Sequence, residues 1–130
     1  MTAESIYAFS DYKRYLEAYL KRSPKAGRGI LTQMATSASL TSAQMSHVMR
    51  GGRDFTPEQA FRIVNFLGLN ENESSYFMEL VRFARAGTSD LRSYSKKRIE
   101  ELKAEGLKLK NQVPKHRELT EDEKAKFYSS

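Results

Sequence analysis

The side chains able to make specific polar contacts gather between Arg28 and Arg53. Thr32, Gln33, Thr41, Ser42, Gln44, Ser46 and His47 supply hydroxyls, amides and an imidazole, with the methyl of Ala43 among them. Arg50 and Arg53 flank Gly51-Gly52, and Lys21, Arg22, Lys25 and Arg28 form a basic cluster with no acid between them. Such groups suit hydrogen bonds to base edges and neutralisation of phosphates. They do not suit bond-making chemistry. The chain has no cysteine, so thiol catalysis, thiolate metal sites and disulfides are excluded. His47 and His116 are its only histidines, and no P-loop, dinucleotide-type glycine loop or His-Glu metal motif is present. Glu71 and Glu73 lie too close on one helix start to flank a substrate as acid and base, and suit the helix dipole instead. No catalytic activity, cofactor, metal or small-molecule substrate is expected.

The elements that must position these residues read as helices throughout. At 130 residues the chain is one domain's length with an appendage. Lys and Arg total 22 against 16 Asp and Glu, giving a formal charge of +6 that suits an acidic partner. No apolar run approaches the ~18 residues needed to cross a bilayer. Met1 to Ser10 lacks a basic segment followed by an apolar one, so no signal peptide is expected and the location expected is cytoplasmic.

Apolar residues recur at three- and four-residue spacing with no sustained alternation, which predicts an all-α protein. A first helix is expected from Ser10 to Lys21, capped by Ser10 or Asp11, followed by a loop over Ser23 to Gly29. A second runs from Leu31 to Ala38, and Ser39-Leu40 turns the chain. Thr41 caps a third helix that reaches Arg50 and ends at Gly51-Gly52. Thr56 and Pro57 start a fourth, apolar nearly all round and so expected at the centre, which Gly68 closes. Asn70 or Asn72 starts a fifth, which Gly87 stops. A charged helix is expected from Ser89 to Lys110, weakened near Gly106. A polar linker broken by Pro114 follows, then a short helix with a Thr120/Glu123 capping box that ends at Phe127-Tyr128.

A short helix, a tight turn, a second short capped helix, a glycine turn and a core helix make the order of a helix-turn-helix DNA reader. The second helix of such a pair projects from the surface, and its first residues can enter a major groove ~12 Å wide. The residues resemble the lambda-repressor-like (Cro/C1-type) helix-turn-helix superfamily. Met34 and Ala35 stand at its Leu-Ala pair, Ser39 at its turn glycine, Leu40 at its aliphatic position and Thr41 at its cap. Met45 and Val48 stand at its core positions, with Arg50 and Gly51 after them, and Phe66-Leu67-Gly68-Leu69 looks like its close.

A narrower resemblance rests on Asp11-Tyr12-Lys13-Arg14-Tyr15-Leu16, on Thr41 to Val48, on Gly51 to Thr56 and on Tyr76 to Phe83. These stretches are similar to a largely uncharacterised bacterial family of helix-turn-helix regulators, whose members usually carry a second, C-terminal domain. The similarity spans Tyr7 to Lys110. Two positions depart from the superfamily pattern: Ser39 replaces a glycine that normally takes left-handed backbone, and Ser42 and Ala43 stand where relatives often place glutamine or another base reader.

The resemblance implies a five-helix DNA-binding domain over residues 1–88 and a charged helical extension over 89–130. It implies a non-enzymatic transcriptional regulator of double-stranded DNA, with the helix over 41–50 in the major groove. Gln44 is expected to contact adenine with both amide atoms, helped by Ser42, Ala43 and His47, with Thr41 and Ser46 beside them. Arg28, Arg50 and Arg53 are expected on phosphates, and Thr32 and Gln33 at the start of the second helix. The clustered Tyr7, Phe9, Tyr12, Tyr15 and Tyr19 have helical spacing and are expected in the core, as are Met34, Met45 and Met49. The stripe Leu91, Ile99, Leu102 and Leu109 leaves two arrangements open: a homodimer seam, or a helix folded back on its own domain. The alternative function is a protein-interaction adaptor that reuses the same fold.

Overall fold

The computed structural model describes residues 5–117. These are helical, with no strand among the described residues. A 3-10 turn, Ile6–Ala8, leads into α1 (Tyr12–Arg22), and a second, Pro24–Gly27, leads into α2 (Arg28–Ser37), which is followed by α3 (Ser42–Met49), α4 (Pro57–Leu67), α5 (Glu71–Arg85) and α6 (Ser89–Arg117). The Thr120/Glu123 capping box and Phe127-Tyr128 lie outside the described residues.

Local signals start most of these helices. Asp11 caps α1 by accepting the Lys13 N–H at 2.9 Å. Thr41, Thr56 and Asn70 each form a reciprocal cap, in which Gln44, Gln59 or Glu73 reaches back to the cap residue's own N–H. α2 differs from the sequence expectation. Gly27 adopts φ +77°, where a Cβ would lie 2.8 Å from Leu20 Oand Cδ2, so the chain turns tightly against α1. α2 therefore begins at Arg28, a turn earlier than the apolar spacing indicates.

α2 and α3 are joined by a tight left-handed turn. Ser39 sits at φ +60°. Its N–H bonds the Thr36 carbonyl at 3.0 Å, and the Leu40 N–H bonds the Ala35 carbonyl at 2.8 Å. This pair of bonds is a Schellman stop, with buried Leu40 as its apolar contact.

The central helix is α5, not α4. Tyr76, Phe77, Leu80 and Val81 are buried, and α1, α4 and α6 all pack on α5. α4 buries Ala60, Ile63 and Val64 but leaves Phe61 57% exposed, because its outer side has no neighbour. The aromatic cluster is core, as its spacing predicts: Tyr7, Tyr12 and Tyr15 are buried, and Phe9 and Tyr19 pack against them. Met34 and Met45 are buried and Met49 partly so.

α6 lies along α5 and the N-terminal turn. Ile99 joins the core and Leu102 packs against it, while Leu91 and Leu109 stay exposed, so the apolar stripe is split between the protein's own core and its surface. Buried Ser95 donates its hydroxyl to buried Glu79, whose other oxygen lies 3.4 Å from Arg82 Nη1. The helix does not weaken at Gly106. A Cβ there would sit 2.1 Å from Tyr7 Cζ, so the missing side chain is the seat of the Tyr7 ring. Asn72 locks this corner by donating to the Tyr7 hydroxyl at 2.7 Å and to the Leu102 carbonyl at 3.1 Å.

The linker expected after Lys110 is helical as well. α6 continues through Pro114 to Arg117. Proline removes one bond, to the carbonyl four residues back, and water can take that carbonyl on a solvated helix. No described helix is long and apolar enough to cross a membrane.

Candidate nucleic-acid interface

α3 has two sides. Met45 and Val48 are fully buried, Ser46 and Met49 partly so, and Ser42, Ala43, Gln44 and His47 are exposed. Ala43 and His47 are one turn apart, with Gln44 beside them, so together they form the outward ridge. Ser46 lies at its edge, half-buried, where the sequence placed it alongside His47.

Thr41 and Gln44 hold the start of the helix. Thr41 Oγ1 accepts the Gln44 N–H at 3.0 Å, and Gln44 Oε1 accepts the Thr41 N–H at 2.9 Å. Gln44 therefore does two jobs. The Thr41-x-x-Gln44 spacing carries that signal in the sequence itself. In this arrangement the cap holds Gln44 Oε1 back over the first turn of its own helix.

α3 ends at Gly51, whose φ of +89° would strain any L side chain. Gly51 N–H bonds the Val48 carbonyl and Gly52 N–H bonds the His47 carbonyl, each at 2.9 Å. The His47 imidazole lies over Gly52: a Cβ there would be 1.9 Å from Nε2. The absence of a side chain at Gly52 thus sets where the His47 ring rests.

The following loop is pinned from several elements, and this framework was not legible in the residue spacing. The Tyr12 hydroxyl donates to Asp54 Oδ1 at 2.7 Å and accepts the Phe55 N–H at 3.3 Å. Burial, with Asp54 beside it, pushes the Tyr12 hydroxyl well above the ordinary phenol value. Lys13 Nζ donates to the Arg53 carbonyl at 2.9 Å and lies 3.2 Å from Asp54 Oδ1. Arg85 Nη1 donates to the Phe55 carbonyl at 3.2 Å. Arg85, although exposed, thereby steadies this loop. Phe55 itself is buried against Tyr12, with ring centroids 5.4 Å apart.

The consequence for the arginines is direct. Asp54 is the nearest acid to Arg53 in sequence, yet it pairs with Lys13. Arg50 and Arg53 are both exposed, and neither side chain has an ion-pair partner among the described residues. Two free guanidinium groups thus end the same segment that Gln44 begins.

Thr32 and Gln33 are exposed on α2 but lie in its second turn, since the helix starts at Arg28. Their backbone N–H groups belong to the helix ladder, so only their side chains can meet a ligand, contrary to the expectation that they open the helix. Arg28 is the first residue of α2, and its side chain, like that of Lys25, lies outside the described ones.

These exposed residues are grouped on α2, α3 and the loop that follows α3. An open groove of about 710 Å³ lies elsewhere, between the N-terminal segment, α5 and α6, lined by Phe9, Tyr76, Phe83, Ile99 and Leu107 among others, and it includes none of them. Comparison of the chain with protein-family models, with curated proteins and with solved structures finds no match.

Proposed function

We propose that this chain is a DNA-binding protein of the helix-turn-helix kind, a transcriptional regulator that sets α3 into the major groove. The observation that carries the reading is the division of α3. Its inner residues, Met45 and Val48, are fully buried, while Ser42, Ala43, Gln44 and His47 stand exposed on one short helix. A helix of 8 residues held by a cap at one end and a glycine stop at the other presents those groups rigidly. Arg50 and Arg53 supply charges for phosphates beside it, and an exposed ridge on a short helix suits insertion into a groove. Under this reading Arg28, Thr32 and Gln33 on α2 approach the backbone of the same duplex.

A second reading, a protein-interaction adaptor, is favoured by the short side chains of Ser42 and Ala43. Serine bonds donors and acceptors alike, and alanine can touch only a thymine methyl. Selection of bound sequences from random duplexes at ~150 mM salt separates the two readings. The regulator yields an enriched motif, and a palindromic motif reports a second copy and its half-site spacing. The adaptor yields no enrichment and only weak binding that vanishes as salt rises.

A further inference from the structure

The cap at the start of α3 limits what Gln44 can say to a base. A free glutamine reads adenine with both amide atoms, Oε1 accepting from N6 and Nε2 donating to N7. Here Oε1 already accepts the Thr41 N–H at 2.9 Å, while the Gln44 N–H is taken by Thr41 Oγ1 at 3.0 Å. The side chain is curled back over the first turn of its own helix. Its Nε2 has no protein partner among the described residues, and the residue is exposed. Resting on the DNA-binding reading above, we infer that Gln44 reads the major groove as a hydrogen-bond donor only, and so selects against cytosine rather than for adenine.

The chemistry of the bases sets the rule. Guanine presents N7 and O6 as acceptors, adenine presents N7 and thymine presents O4, whereas cytosine presents only the N4 donor. A donor-only amide is met by three bases, by guanine best, and is refused by the fourth. Swinging the amide out to grip adenine with both atoms would strip the Thr41 N–H of its partner. The bond lost is of the same order as the bond gained. The capped amide is also already ordered, so it gives up little rotamer freedom on binding. Its neighbours do not override it, because Ser42 is unselective and Ala43 carries no polar atom.

The test compares sequences selected from random duplexes by the intact chain and by Gln44→Glu. A glutamate at this position keeps the capping box, since its carboxylate can accept the same Thr41 N–H, but it removes both donors. The wild-type protein is expected to deplete cytosine about fivefold at one motif position while tolerating the other three bases, which is the selectivity of one hydrogen bond. Gln44→Glu is expected to keep the wild-type melting temperature and to invert that position to cytosine, whose N4 donates to the carboxylate. Its overall affinity falls because a carboxylate nears the phosphates, so preference is the readout. Gln44→Ala gives a second check: the depletion of cytosine at that position disappears and the rest of the motif stays. The inference is overturned if the wild-type motif demands adenine there, or if either variant leaves the position unchanged. Absence of any wild-type motif would instead remove the DNA-binding reading itself, and the inference with it.

Discussion

Ser39 is the only non-glycine residue at positive φ among the described residues. Left-handed backbone costs an L residue roughly 1–2 kcal/mol. Glycine removes that strain but loses about 0.4–1 kcal/mol through greater freedom in the unfolded chain. The Ser39 side chain is exposed and makes no hydrogen bond among the described residues, so nothing else is lost on replacement. Ser39→Gly should therefore stabilise the fold by about 0.5–1 kcal/mol. Urea unfolding followed by circular dichroism checks this: the midpoint should rise with an unchanged slope. A lower midpoint would mean that the serine makes a contact worth more than its strain. The turn matters beyond stability because it fixes how α3 leaves α2, and with it the direction of the outward ridge.

At the scale of elements, α6 offers a prediction whose sign opposes helix propensity. In an exposed helix Gly→Ala stabilises by up to about 1 kcal/mol. Gly29, in the first turn of α2, has open space where a Cβ would go, and Gly29→Ala should show that gain. Gly106→Ala should not. Its Cβ would collide with the Tyr7 ring, which is held by Asn72 at 2.7 Å and by an edge contact with Tyr76 at 5.1 Å. A loss of about 1–3 kcal/mol is expected from such overpacking, read from paired urea titrations. Equal gains for both variants would show that α6 is not docked at this corner.

The same helices show what was legible in the sequence. Thr41 and Thr56 sit beside the turns they cap, so local types and spacing suffice to place those starts, whereas they narrow the other two only to Ser10 or Asp11 and to Asn70 or Asn72, of which Asp11 and Asn70 are the caps. The start of α2 was misplaced because it depends on Gly27 meeting Leu20 of another helix. Gly106 read as a weak point because its partner, Tyr7, lies at the far end of the chain. At the candidate site the exposure of Arg50 follows from the glycines after it. The freedom of Arg53 does not, because it requires Lys13 of α1 to occupy Asp54.

The whole molecule is held together by buried phenols and carries a net charge of +6, and each has a solution signature. Burial pushes the hydroxyls of Tyr7, Tyr12, Tyr15 and Tyr76 above the ordinary phenol value. A group whose pKa is raised by folding keeps its proton longer in the folded state. The stability linked to it is fully present below the unfolded value of about 10 and is lost as pH rises beyond it. Urea midpoints should thus hold steady up to about pH 9 and fall steeply above about 10. The phenolate absorbance of these four rings should appear only as the helical signal is lost; full ionisation with the helices intact would contradict their burial.

The charge acts on binding. Under the DNA-binding reading, each arginine that neutralises a phosphate releases counterions, so log Kobs falls with log salt by about 0.9 per contact. Arg50→Ala and Arg53→Ala should each flatten that slope by about 0.9 and together by about 1.8. Both side chains are exposed and unpaired among the described residues, so the fold should be untouched. Lys97→Ala, which removes one exposed charge from α6, should leave the slope where it was. The comparison separates contact from bulk charge: if all three variants shift the slope alike, affinity comes from the overall field and α3 is not the seat of binding.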